Sequence, residues 1–150
     1  MAHTYTSLLV HCVFSTKRRE PHLKPDIRQR LWPFMGGIAR ENKMRALAVG
    51  GYFDHAHLLL SVPPTWAIAK AMQVIKAGSS KFVHETFPKV RGFEWQEGYG
   101  AFSISISAVN ETIAYIHGQE EHHRGKTFQE EYIAFLKKHG IEYDERYVFD

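Results

Sequence analysis

Apolar residues along this chain switch repeatedly between a period of two and a period of three to four, and the switches divide it into eight elements. Tyr5 to Phe14 reads as a strand with Leu8, Val10, Cys12 and Phe14 on one face and His11 on the other, beside Leu9 and Val13. From Pro25 the spacing of Ile27, Leu31, Phe34 or Met35, and Ile38 predicts a helix, with proline in its first turn. Arg45 to Gly50 reads as a second strand, and Gly50-Gly51 as the turn of a hairpin into a third, Tyr52 to Pro64, which Pro63-Pro64 ends. Thr65 is placed to cap a second helix, whose apolar face carries Ile68, Met72, Ile75, Ser79 and Phe82.

After the turn-rich segment Phe87 to Gly98, strict alternation predicts a strand over Phe102 to Ser107, with Phe102, Ile104 and Ile106 inward. A third helix is expected from about Val109 to His123, with Ile113 and Ile116 toward the core and Tyr115 and Gln119 together on another face. Thr127 with Glu130 three residues later is a capping box, which opens a last helix through Tyr132, Phe135 and Leu136 to a stop at Gly140.

The first six elements run strand, helix, strand, strand, helix, strand. That order is the split β-α-β arrangement of a ferredoxin-like, RRM-like α+β fold, an antiparallel sheet with helices packed on one face and an added C-terminal helix-carrying region. Such a sheet leaves its other face open, where nucleic acid sits in RNA-recognition domains. At 150 residues and 44% hydrophobic content the chain suits one domain, 1–150. A lone cysteine, Cys12, excludes a disulfide scaffold and a thiolate-rich metal site. Without a long apolar run or a signal-peptide pattern, the expectation is a cytoplasmic protein with no membrane partner.

Charge changes the picture modestly. The net value is +3, but residues 1–50 carry nine Lys/Arg against three Asp/Glu, a balance that suits a polyanion. Lys17, Arg18 and Arg19 follow the first strand, and Lys76 and Lys81 lie outside the apolar stripe of the second helix. These are the candidate DNA-backbone contacts, with solvated loop and helix positions as the alternative.

The chemistry centres on Y-F-D-H-A-H-L-L-L-S-V-P-P, residues 52–64. In a strand His55 and His57 share one face while Ala56, Leu58 and Leu60 take the other, so two imidazoles stand side by side. A third donor is needed for a divalent metal site, and the amide oxygen of Gln119 can join them around Mg2+ or Mn2+. Tyr115, one turn before Gln119, is then placed to attack a phosphodiester and form a phosphotyrosine. His11, His122 and His123 are possible auxiliaries. No nucleotide cofactor is implied, because no phosphate-binding glycine motif is present. On these residues alone, a noncatalytic nucleic-acid-binding domain and a metal-binding structural protein remain open.

Four stretches together carry a resemblance: D-H-A-H-L-L-L-S-V-P-P at 54–64, W-Q-E-G-Y-G-A-F-S-I-S at 95–105, Y-I-H-G-Q-E-E-H-H at 115–123 and F-Q-E-E-Y-I-A-F-L-K-K-H-G at 128–140. In this order they resemble the IS200/IS605-type single-domain tyrosine transposases of the His-hydrophobe-His nuclease superfamily, including the relatives associated with repetitive extragenic palindromes. The resemblance makes His55 and His57 metal ligands, Tyr115 the nucleophile and Gln119 the polar ligand. Ala56 is smaller than the hydrophobe usual between the two histidines. It also implies a DNA transposase and single-stranded DNA endonuclease that binds hairpins, forms a 5'-phosphotyrosine, releases a 3'-hydroxyl for rejoining, and works as a homodimer. A noncatalytic or domesticated hairpin-binding protein of the same fold is the alternative.

Overall fold

The computed structural model describes residues 3–149 and has the expected α+β architecture. Strands β1 (Leu9–Ser15), β2 (Arg45–Tyr52), β3 (His55–Ser61) and β4 (Gly100–Ile104) form one antiparallel sheet in the order β2-β3-β1-β4. Helices α1 (Pro25–Glu41) and α2 (Ile68–Thr86) cover one face. Cys12, Phe14, Ala56, Leu58 and Leu60 meet Leu31, Met35, Met72 and Ile75 there in the main core. Among the described residues no helix is long and apolar enough to cross a membrane.

The second face is not open. Helices α3 (Val109–His117), α4 (Gln119–His122) and α5 (Phe128–Lys138) close over it. Val13 and Phe102 pack beneath Phe128, Tyr132 and Leu136, and Ala48 and Leu59 beneath Ile116. The reason lies in β1 and β3: Leu9, Val13 and Leu59 face this side and require an apolar cover, while His11, His55 and His57 face the same space and require polar partners. The added C-terminal region supplies both.

Several boundaries differ from the sequence pattern. The hairpin turn is Phe53-Asp54, with Tyr52 paired to His55, and Gly50 and Gly51 lie inside β2. Gly50 serves close packing: a Cβ there would lie 2.5 Å from the backbone oxygen of Ile116. Helix α2 starts with Ala67 as N-cap and no side-chain cap, so Thr65 does not perform that role. Strand β4 ends at Ile104, and Ile106, 75% exposed, lies in a short 3-10 turn over Ile106–Ala108 instead of continuing the inward face. The helix expected to run to His123 breaks at Gly118, whereas the capping box at Thr127 and Glu130 forms with both reciprocal hydrogen bonds. Gly140, at φ 65°, follows α5 in the left-handed conformation glycine tolerates.

Replacing Gly50 with Ala is expected to push α3 off the sheet and cost about 1–3 kcal/mol, the usual range for an overpacked close contact. Urea denaturation checks this, and an unchanged midpoint contradicts the close approach.

Candidate metal and tyrosine site

The pleat of β3 turns His55 and His57 toward the second face, and both are fully buried. Pairing with β1 places His11 diagonally opposite, its Nε2 2.8 Å from His57 Nδ1. The turn residue Asp54 accepts a hydrogen bond of 2.7 Å from His55 Nδ1–H, which fixes that tautomer and leaves the Nε2 lone pair facing inward. It points at Gln119 Oε1, 2.9 Å away. Gln119 is itself oriented by donating its amide to the Tyr115 carbonyl, one turn earlier.

The centre of the site is Glu131 on α5. It is 2% exposed, and its two oxygens lie 3.1–3.4 Å from four imidazole nitrogens: Nε2 of His57, His55, His122 and His123. Tyr115 hydroxyl donates to Glu131 Oε2 and lies 3.2 Å from His122 Nε2. Helix α4 is secured from outside. Arg28 of α1, buried, donates to Glu120, and the Tyr52 ring stacks on His123 with centroids 5.4 Å apart.

Burial alone would push Glu131 toward its neutral form, but the surrounding imidazoles, His123 and His57 foremost, outweigh it and hold the carboxyl well below its usual range. His57 is lowered, chiefly by burial. His11 is pushed down to about 3 by burial and then by His57. Burial also lowers His122, whereas for His123 the Glu131 hydrogen bond and charge outweigh burial and raise it. Burial and then the Glu131 charge push the Tyr115 phenol above its usual value, so the metal-free site holds the hydroxyl protonated.

These shifts set a pH dependence. Unfolded histidines take up protons as pH falls through 6.5, while folded His11 and His57 resist, so the unfolded state gains protons and stability falls. Loss of the Glu131 contribution adds to this below 4.5, and His123 works oppositely, its contribution fading as pH rises through its raised value. Metal-free protein is therefore expected to show a urea midpoint that drops steadily from pH 7 to pH 4. A flat midpoint over that interval contradicts the buried neutral histidines.

The donor set fits a divalent cation. His55 Nε2, Gln119 Oε1 and Glu131 Oε1 are three acceptors turned on one another, an arrangement favourable only with a positive charge between them. Nitrogens of His55 and His57 and an oxygen of Glu131 all lie within 4.8 Å of one another.

Two of these groups, Glu131 and Asp54, escaped the sequence reading. Glu131 had a signal: Phe128, Glu131, Tyr132 and Leu136 share the buried stripe of α5, so a carboxylate stood on an otherwise apolar face. Asp54 had one too, directly preceding the first histidine in a two-residue turn.

Lys17, Arg18, Arg19 and Lys76 do not join this cluster. They line a separate groove of about 810 Å³ beside α2. Lys17 pairs with Glu94 at 3.0 Å, Arg19 donates to the Phe149 carbonyl, and Arg18 is exposed. The ammonium of Lys76 is spent on the carbonyls of Gln96, Glu97 and Gly98, at 2.5, 3.1 and 2.9 Å. Lys81 is exposed on α2, outside the residues that line this groove.

Residues 4–119 match the family model described as "Transposase IS200 like". The chain belongs to this transposase family. Among its relatives, the ISDra2 transposase of Deinococcus radiodurans is 24% identical over 116 residues, covering 74% of this chain and 83% of that protein. The IS200 transposase of Salmonella typhimurium is 29% identical over 104 residues, covering 66% and 68%. The fold is shared with the crystal structure of a putative transposase from Deinococcus radiodurans, with TM-score 0.65, 23% identity and coverage of 79% and 96%. It is shared also with a tyrosine transposase bound to a repetitive-extragenic-palindrome hairpin, with TM-score 0.55, 15% identity and coverage of 79% and 70%. The IS200-like match ends at Gln119, so His122, His123 and Glu131 lie beyond the matched segment.

Proposed function

We propose that this chain is a metal-dependent transposase that cleaves single-stranded DNA beside a hairpin through a Tyr115 phosphodiester and then rejoins strands. One observation carries the reading: the Tyr115 hydroxyl sits on the Glu131 carboxylate, next to the inward-facing nitrogens of His55 and His57 and the Gln119 oxygen. Membership of the IS200-like family and the shared fold of a hairpin-bound transposase support it.

In the proposed reaction the Tyr115 oxygen bonds to phosphorus, the bond from phosphorus to the 3'-oxygen breaks, and the phenol proton ends on the released 3'-hydroxyl. His55, His57, Gln119 and Glu131 would hold a divalent cation, Mg2+ or Mn2+, while Asp54 and His11 orient the two imidazoles. A cation held there would supply positive charge against the charge developing on the phosphate oxygens, and Glu131 accepts the Tyr115 hydroxyl hydrogen bond. Tyr115 opens into a crevice of about 180 Å³ whose lining includes Lys126 and Lys138, two ammonium groups suited to a phosphate. Rejoining reverses the chemistry, so no nucleotide is consumed.

The groove beside Lys17, Arg18 and Arg19 is the candidate seat of the hairpin backbone, with Lys81 as an outlying contact. Lys76 has the lesser claim, since its donors already serve the 96–98 carbonyls. A homodimer accords with the family resemblance.

The test mixes the protein with single-stranded DNA bearing hairpins from the flanks of its gene, plus Mg2+ or Mn2+, and examines a denaturing gel. A covalent adduct on Tyr115 that disappears with EDTA is the expected result. Hairpin binding with no adduct under any cation would replace this reading with a noncatalytic binding protein.

A further inference from the structure

Resting on the reading of single-stranded DNA as substrate, we propose that the outer surface of α1 and α2 carries a second DNA contact, a groove in which an unpaired base stacks on Phe34 while Arg30 and Arg40 hold the adjoining phosphates.

The groove, of about 530 Å³, is lined by Arg30, Gly37, Arg40 and the stacked rings of Phe34 and Phe82, whose centroids lie 4.1 Å apart with the planes at 16°. Phe82 is partly buried, whereas Phe34 is 40% exposed, so a two-ring stack ends in solvent and its outer ring can take a third planar group. Beside that ring the helix is bare. Helix α1 runs through Gly36 and Gly37 without a break, although glycine weakens a helix interior. Packing within the chain does not account for the pair: among the described residues a Cβ at Gly36 would meet nothing within 4 Å, and one at Gly37 only Arg40 Nη2 at 3.7 Å. Gly78 of α2 is the contrast, since a Cβ there would strike the Ile38 side chain at 2.9 Å. Gly36 and Gly37 thus keep open a backbone surface that a group from outside the chain can approach closely.

Charge selects the occupant. Among the described residues neither Arg30 nor Arg40 forms an ion pair with a carboxylate. Arg30 lies over the Phe87 ring, 5.4 Å from its centroid, and exposed Lys43 and Arg45 follow Arg40 in the chain. The one carboxylate of the groove, Glu41, is next to Arg40 at the end of α1. Guanidinium groups flanking an exposed aromatic stack suit a nucleic-acid single strand, with phosphate charge on arginine and a base on the ring. Because α1 and α2 cover the sheet face opposite Tyr115, the nucleotides held here are not those at the scissile phosphate. They belong to an unpaired segment flanking the hairpin.

The test follows fluorescence anisotropy of a labelled oligothymidine, which forms no hairpin, with the full chain across a salt series. Phe34→Ala is expected to weaken binding at least about fivefold and Phe34→Tyr to restore it, the scale of one base stacked on an aromatic ring. Combining Arg30→Gln with Arg40→Gln is expected to reduce the slope of log affinity against log salt by about 1.4, as for two phosphate contacts on a single strand. Gly37→Leu fills the groove and should weaken binding while raising the urea midpoint, which separates a blocked surface from a damaged fold. Oligothymidine binding that is absent in the wild type, or unchanged in Phe34→Ala, overturns the proposal. So does sedimentation in which Phe34→Ala splits a dimer with DNA affinity intact, which assigns the groove to a second copy of the chain. These readouts need neither metal nor cleavage, so they stand apart from the Tyr115 adduct that tests the reaction.

Discussion

Replacing Tyr115 with Phe is expected to lower adduct formation by at least about a thousandfold, the scale of losing a nucleophile, while hairpin affinity changes by less than about twofold. The substitution removes one oxygen and leaves the ring among His11, His57, His122 and Phe135. Glu131 keeps its imidazole partners, so folding is retained and the loss reports chemistry. Denaturing gels measure the adduct and fluorescence anisotropy measures binding on the same hairpin. An undiminished adduct in Tyr115→Phe removes the nucleophile assignment.

Glu131→Ala is expected to act on both metal and stability. The carboxylate is the one buried acceptor shared by four imidazoles and the Tyr115 hydroxyl, and its removal strands these groups around a new cavity. In EDTA at pH 7 the cost should be about 3 kcal/mol, the scale for breaking a buried charged network, read from urea denaturation. Metal affinity should fall by about a hundredfold, measured by dialysis. Glu131→Gln separates the effects: it preserves volume and an acceptor oxygen, so much of the stability should return while metal binding stays weak. Full metal affinity in Glu131→Gln would show that the negative charge is not what holds the ion.

Glu131 also shows where sequence reading stops. The histidine strand was legible because a period of two sorts His55 and His57 from Ala56, Leu58 and Leu60 whatever the strand packs against. Tyr115 and Gln119 were legible as neighbours because four residues make one helical turn, and the break at Gly118 did not separate them. Glu131 acquires its role only through α5 crossing the sheet face, a contact with His55 that spans 76 positions of chain and has no local period. The expectation of an open sheet face failed for the same reason: whether a helix docks there depends on distant partners.

Gly50 is a second case. Two adjacent glycines between strands read as a turn, yet the backbone needs Gly50 because Ile116 comes within reach of where its side chain would stand. Lys76 is a third, since a lysine outside an apolar stripe gives no sign that three carbonyls of the 96–98 segment will enclose it.

By itself the sequence determined the order of strands and helices, the paired imidazoles, the tyrosine and glutamine one turn apart, and the resemblance to a transposase family, because each rests on spacing along the chain or on ordered motifs. Tertiary structure alone decided that the C-terminal helices cover the second sheet face, that a buried glutamate joins four histidines, and that Asp54 fixes which nitrogen of His55 looks inward. Those outcomes depend on distances between remote segments and on where each proton finds an acceptor, quantities that exist only once the chain has closed on itself.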